Sequence, residues 1–204
     1  MNIFFLALVP AVAAKYHCDK HVVKMILETV QILYTVHWLK RPEDTEWNKD
    51  APLTQAGTRG YKKTHVKHPS VLWAIECRAN YNWLLALGLE LHEEFHSRYG
   101  KIHSAKEHLD WLKKNNAPFP EDDTSDDITT PKLAMPQECK DYVKDNKLSA
   151  VEAYQHYYIT KKLDFISYRN LSIPPFLKVT TPPIPILKFR SIIFFASSKL
   201  PVKQ

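Results

Sequence analysis

Five side chains with acid–base or ligand character recur at helical spacing near the start of the chain: His17, Lys20, His21, Lys24 and Glu28. On a wheel at about 100° per residue they share, with Gln31 and Thr35, a stripe roughly 100° wide. Three chemistries fit. Lys20 or Lys24, flanked by a carboxylate and two imidazoles, has the surroundings of an amine nucleophile, because nearby cations and removal from water both lower an amine's proton affinity. Glu28 lies one turn beyond Lys24, within reach for proton relay. His17 and His21, at i and i+4, have instead the spacing of a helical metal pair, with the third ligand to come from His65, His68, Asp19 or His103. The chain has ten histidines, so such a pair also arises by chance, and the expectation is that neither a metal nor another cofactor is bound. The last possibility is a hydrogen-bonded, ion-paired seam between helices with no chemistry of its own.

The stripe requires a helix. From Ala13 to Leu39 there is neither Gly nor Pro, which predicts one helix of several turns. Val22, Val23, Met25, Ile26, Leu27, Val30, Leu33 and Val36 fill most of its remaining circumference. An ordinary surface helix has the opposite proportions, so this one is expected to be wrapped by protein with a polar slot left open. Pro69 opens a second long helix that Gly100 stops after Tyr99. Its apolar face holds Asn80, which needs hydrogen-bond partners if buried. Ser104 with Glu107, and Ser149 with Glu152, have the spacing of capping boxes, the second opening a helix that runs to about Tyr168. Between them lie a proline-punctuated acidic loop, Asn115 to Leu133, and a short helix begun at Pro136.

Composition narrows the class. With 45% apolar and 25% charged residues the chain is globular, and only four glycines argue against a turn-rich β fold or a glycine loop for phosphate. Cys18, Cys77 and Cys139 are far apart and odd in number, as free thiols of a reducing compartment are. Residues 3–14 imitate a signal peptide but have no preceding cation and are interrupted by Pro10, so the expectation is a protein of the cell interior that is not secreted. No apolar run approaches the roughly 20 residues of a membrane span. The net charge of +6 is concentrated in residues 172–204, which carry five cations and no acid. In the body, Tyr61-Lys62-Lys63-Thr64-His65 with His68 is the most basic short run, and each of its polar side chains can donate to phosphate. Tyr157 beside Lys161 and Lys162 pairs a stacking ring with cations, a combination suited to bases and phosphates.

Several segments resemble a family of small proteins of bacteriophages and large DNA viruses: Met1 to Phe4, Ala13-Ala14, Tyr16 to Glu28, Thr64-His65, His68-Pro69-Ser70, Trp73, Asn80-Tyr81, Trp83-Leu84, Arg98 to Lys101 with His103, Ala134-Met135-Pro136, Ala153-Tyr154, Tyr157-Tyr158 and Lys161. The likeness covers about residues 1–176. More remotely, the layout is similar to that of the phage pyrimidine-dimer DNA glycosylases with abasic-site lyase activity. They too have a short apolar lead-in, a polar-striped helix carrying a catalytic glutamate, and a Pro-started aromatic helix ending in a basic, glycine-terminated turn. The resemblance implies that the nucleophile is the amine of the second residue, exposed when the initiator Met is removed. Its counterpart is Asn2, and Glu28 stands for the glutamate. Met before a residue as large as Asn is poorly removed, so the amines of Met1, Lys20 and Lys24 stay open as alternatives. Where the viral family has an Asp-x-Asp-Pro pattern, this chain has Ala7, Val9 and Pro10.

Together these readings predict an all-α single domain, residues 1–171, built on two long crossing helices with shorter C-terminal helices, followed by an irregular, Pro-rich basic tail, residues 172–204. The alternative fold is α+β with a small N-terminal strand. The predicted function is a DNA-acting glycosylase/lyase on damaged or modified bases, with DNA as partner, no membrane association and an oligomeric state left open. His17, Lys20, His21, Lys24 and Glu28 are its candidate catalytic set. Tyr61, Lys62, Lys63, Thr64, His65, His68, Asn80, Arg98, Lys101, His103, Tyr157, Lys161 and Lys162 are its candidate DNA contacts. A non-catalytic nucleic-acid-binding or virion-associated module is the main alternative, and a metal-dependent nuclease using His17 and His21 the third. Truncation after Phe176 should leave cooperative unfolding intact, because the tail lacks the helical pattern. Removing its five cations should also weaken nonspecific DNA binding and flatten its dependence on salt, as read by titrating a fluorescent duplex at several ionic strengths.

Overall fold

The computed structural model describes residues 2–44 and 46–178. Its helices are α1 (Pro10–Tyr16), α2 (Asp19–Lys40), α3 (Pro69–Ala74), α4 (Arg78–Tyr99), α5 (Lys106–Lys114), α6 (Gln137–Asp145), α7 (Ala150–Lys161) and α8 (Pro175–Lys178), with a 3-10 turn at Leu163–Phe165. Among the described residues there is no strand, only an isolated bridge between Leu53 and Arg59. The fold is all-α, and the α+β alternative is corrected, since the residues before α1 pair with no strand. No helix among the described residues is long and apolar enough to cross a membrane.

α2 and α4 form the central crossing pair, with α1 and α5 packed on α4 and α3 on α2. Ile3, Phe4, Phe5 and Leu6 thread into this core and are almost wholly buried. Phe5 stacks on Trp83 at 4.5 Å between ring centres and meets Trp73 edge-on at 4.8 Å, while Phe4 stacks on His21 at 4.4 Å. Such paired rings add about 0.5–1.5 kcal/mol each beyond area burial, so the lead-in is an integral part of the core.

Both long helices expected from the sequence are broken. The first stops at Tyr16 and resumes at Asp19, with His17 and Cys18 extended. Buried Arg98 compensates the carbonyls freed there, donating to His17 O at 2.8 Å and Lys15 O at 3.2 Å. Its charge is met by Asp19 at 3.2 Å and Glu94 at 3.0 Å. The second helix is broken between Ala74 and Arg78. There the Asn80 amide donates to Trp73 O at 2.8 Å and Thr129 Oγ1 at 2.7 Å, and accepts from Thr129 N at 2.9 Å. Periodicity cannot register either break, because both are compensated by groups distant in sequence.

At the termini the outcome is mixed. Gly100 does end α4, in the left-handed region at φ 64°. The Ser149–Glu152 capping box forms on α7 as expected. The Ser104 box does not: α5 begins at Lys106, and the preceding turn is held by His103 Nδ1 accepting from Ala105 N at 3.1 Å. α7 ends at Lys161 instead of near Tyr168. Of the expected tail, residues 175–178 form α8, whose Phe176 ring lies 5.7 Å from Tyr16 and 6.3 Å from Tyr158. The remaining tail, residues 179–204, lies outside the described residues.

The tightest approach in the crossing is at Gly88, where a Cβ would fall 2.8 Å from both Thr29 Cγ2 and Leu109 Cδ2. Gly88→Ala should therefore destabilise the protein by about 1–3 kcal/mol despite alanine's better helix propensity. Adding Thr29→Ser, which deletes the opposing methyl, should return part of that loss. Urea unfolding of the two single variants and the double variant measures the coupling, and strict additivity would show that the methyl is not what the new Cβ meets.

Candidate active site

The polar slot of α2 is real but narrower than the wheel predicts. Lys20 and Lys24 project into solvent, whereas His17, His21, Glu28 and Thr35 are buried. Glu28 is only 8% exposed. One of its oxygens accepts from the main-chain N of Asn2 at 2.6 Å, and the other faces Lys24 Nζ at 3.2 Å. The Asn2 side chain is itself anchored, donating to Ala134 O at 3.0 Å and accepting from Ile3 N at 2.8 Å. Asn2, Phe4, His21, Lys24, Met25, Glu28, Tyr157 and Lys162 enclose a cleft of about 150 Å³. It gathers main-chain nitrogen, carboxylate, ammonium and imidazole around a space suited to a sugar-sized group.

His21 forms the aromatic wall of this cleft and shares a hydrogen bond with the Tyr158 hydroxyl. Burial first, then the neighbouring His17, Lys162 and Lys24, push its pKa down to about 3, so the imidazole is neutral. His17 lies in the helix break with Nδ1 on Ala13 O at 2.7 Å, and burial lowers its pKa to about 4. The two histidines are thus on different elements, each with Nδ1 engaged. Among the described residues no three His, Cys, Asp or Glu side chains gather as a metal site would require.

The candidate DNA contacts divide into three groups. Tyr61 to His68 is tied along α2 by Trp38 Nε1 donating to Tyr61 O at 3.0 Å and Thr64 N donating to Thr35 Oγ1 at 3.2 Å. This leaves Lys62, Lys63 and His65 exposed. His68 caps α3 by accepting from Ser70 N, and burial lowers its pKa against the opposing pull of Glu28. Tyr157 and Lys162 line the Glu28 cleft, whereas adjacent Lys161 pairs with Glu138 at 3.1 Å, and Lys101 is exposed beyond α4. Arg98, Asn80 and His103 hold the two helix breaks and the α5 turn through hydrogen bonds to protein groups.

Sequence reasoning missed Phe4 and Met25 as parts of the site. They read as ordinary apolar or core aromatic positions, and no local signal distinguishes them. Ala7 and Val9 do not line the cleft.

Fold and site together define a helical protein whose extreme N-terminal segment, rather than a loop, meets a buried helix carboxylate in an open polar cleft. The chain belongs to the pyrimidine dimer DNA glycosylase family, whose model matches residues 1–113. No curated protein and no solved structure matches it. The matched stretch contains Asn2, His21, Lys24 and Glu28, while Tyr157 and Lys162 lie beyond it. Membership makes this a chain of a DNA glycosylase family, with DNA as the implied substrate.

His17, His21 and His37 have pKa values of about 4, 3 and 3, all lowered chiefly by burial from an ordinary 6.5. A depressed folded-state pKa means that the unfolded chain takes up protons first as pH falls. Stability should thus be level above about pH 7 and drop between about pH 6.5 and 3, each imidazole costing on the order of 2 kcal/mol at pH 5. Urea midpoints at pH 7.5 and 5.0 test this, and equal midpoints would mean that these rings are charged in the fold.

Proposed function

We propose that the protein is a DNA glycosylase with abasic-site lyase activity that works through its N-terminal α-amine and Glu28. The observation carrying this reading is the 2.6 Å contact between Asn2 N and Glu28 Oε2. While Met1 is attached, that nitrogen is an amide and only donates. Once Met1 is removed, the same atom is a primary amine beside a carboxylate. An α-amino group has an ordinary pKa of about 7.7–8.0 against about 10.4 for lysine, so more of it is neutral and nucleophilic at neutral pH. Lys24 is 68% exposed along its side chain and ion-paired with Glu28.

In the reaction the amine attacks C1′ of a nucleotide extruded from the stack, and the glycosidic bond breaks with its electron pair leaving on the base. Glu28 takes the proton released by the amine and passes it to the departing base; the C1′–O4′ bond then opens with its electron pair going to O4′, which takes a proton from solvent, and the Glu28 carboxylate stabilises the cationic imine that results. Exposed Lys20, Lys24, Lys62, Lys63 and His65 flank the cleft or the adjoining loop and supply phosphate contacts for the duplex. Damaged or modified pyrimidine nucleotides are the substrate class.

Borohydride reduces an imine to a stable amine, so it should trap a covalent adduct on an abasic-site duplex. Peptide mapping should find it on the N-terminal peptide, and intact mass of the same preparation shows whether the amine is that of Asn2 or Met1. Glu28→Gln keeps size and hydrogen bonding but removes the proton acceptor. It should lower strand cleavage roughly 10²-fold or more with DNA affinity nearly preserved. Absence of any adduct on abasic, dimer-containing or hydroxymethyl-modified DNA sinks the lyase reading in favour of a binding module.

A further inference from the structure

Lys162 follows α7, beyond the residues that the family model matches, yet its side chain lines the Glu28 cleft. Its ammonium stands 4.9 Å from the Tyr157 ring centre and 5.8 Å from that of Phe165. Lys20 reaches the same Phe165 ring from α2, at 5.1 Å. Neither lysine has a carboxylate within ion-pair distance among the described residues, unlike Lys161, which pairs with Glu138, and Lys24, which pairs with Glu28. Like charges held around one cleft cost free energy unless an anion joins them. The segment presenting Lys162 and Phe165 is also fixed: Asp19 N donates to Ser167 O at 2.9 Å, Arg169 N to Asp19 Oδ1 at 3.0 Å, and the Tyr168 hydroxyl to Tyr16 O at 2.9 Å. The cleft thus carries, in Lys162, a lysine beyond the one paired with Glu28.

We infer that Lys162 is the catalytic cation that receives the phosphate leaving in the strand-cleavage step, with Lys20 beside it on the same track; this rests on the glycosylase/lyase reading. From the imine, Glu28 takes a proton from C2′. The C–H electron pair becomes the C2′=C3′ double bond, and the C3′–O bond breaks with its pair going to the phosphate oxygen. A diester with one negative charge thereby becomes a monoester with up to two. A fixed ammonium at that oxygen stabilises the transition state more than the ground state, because it faces charge that appears only as the bond breaks. Imine formation places no new charge on that phosphate, so the two steps should respond differently to loss of the cation.

The test uses full-length protein in single turnover on an abasic-site duplex, comparing borohydride-trapped adduct with strand cleavage. Lys162→Met keeps a long stem over Tyr157 and Phe165 and removes the charge. It should lower cleavage by about tenfold or more relative to trapping, the scale of one lost electrostatic contact. Lys162→Arg should restore most of the ratio. A cleavage-to-trapping ratio in Lys162→Met equal to that of wild type overturns the inference, as does a parallel fall in both, which would mark a general DNA contact. Wild-type protein giving neither adduct nor cleavage removes the glycosylase/lyase reading and this inference together, so the two failures are told apart by the wild-type lane.

Discussion

The architecture hangs on one buried guanidinium. Arg98 has a side chain only 1% exposed, near the end of α4, and it engages two main-chain carbonyls and two carboxylates drawn from α1, α2, the junction between them and α4 itself. A charge taken that far from water is tolerable only when it is fully met, and removing one partner from such a cluster typically costs about 3–5 kcal/mol. Here the partners are the groups orphaned where α1 gives way to α2. The break costs helical hydrogen bonds, and Arg98 replaces them with charge-assisted ones. Because of it, α1 and α2 are separate elements, and His17 and His21 no longer share a face.

What the turned chain makes possible is the burial of the N-terminal lead-in. Phe4 and Phe5 lie among His21, Tyr154, Tyr157, Tyr158, Trp73 and Trp83, a set drawn from α2, α3, α4 and α7. Chain ends usually fray because nothing offsets their conformational entropy. Here four consecutive apolar residues are anchored, and the main-chain nitrogen before them is delivered to Glu28. In the reaction proposed above, positioning of this kind removes much of the entropic barrier to attack. The packing around His21 also keeps that ring neutral, so the cleft's charge is carried by Glu28 and the lysines.

The residues beyond the family match supply structure as well as charge. Thr129, in the loop after α5, holds Asn80 at the α3–α4 break, and its main-chain oxygen accepts from Trp73 Nε1 at 3.0 Å. Asp123, counted among the acidic residues of that loop, accepts from Arg78 N at 2.7 Å and so secures the first turn of α4. Ala134 accepts from the Asn2 side chain, and α7 closes the cleft with Tyr157 and Lys162. Residues 115–162 thus complete a site that the first two long helices only begin.

Local physics made much of this legible in advance. The helical class, Gly100 as a stop, the Ser149–Glu152 box, the polar stripe with Glu28 on it and the basic loop after Gly60 follow from periodicity, capping and composition, which act over a few residues. The resemblance named Asn2 and Glu28 but could not bring them together, since 26 residues separate a contact of 2.6 Å. Nor could sequence separate Lys161 from Lys162: neighbours on a helix end differ by about 100° of rotation, and only the tertiary surroundings turn one toward Glu138 and the other toward the cleft. The two helix breaks were invisible for a related reason. Propensity counts what a segment gains by staying helical, whereas Arg98 and Asn80 stabilise the broken form with hydrogen bonds that exist only once distant elements have packed.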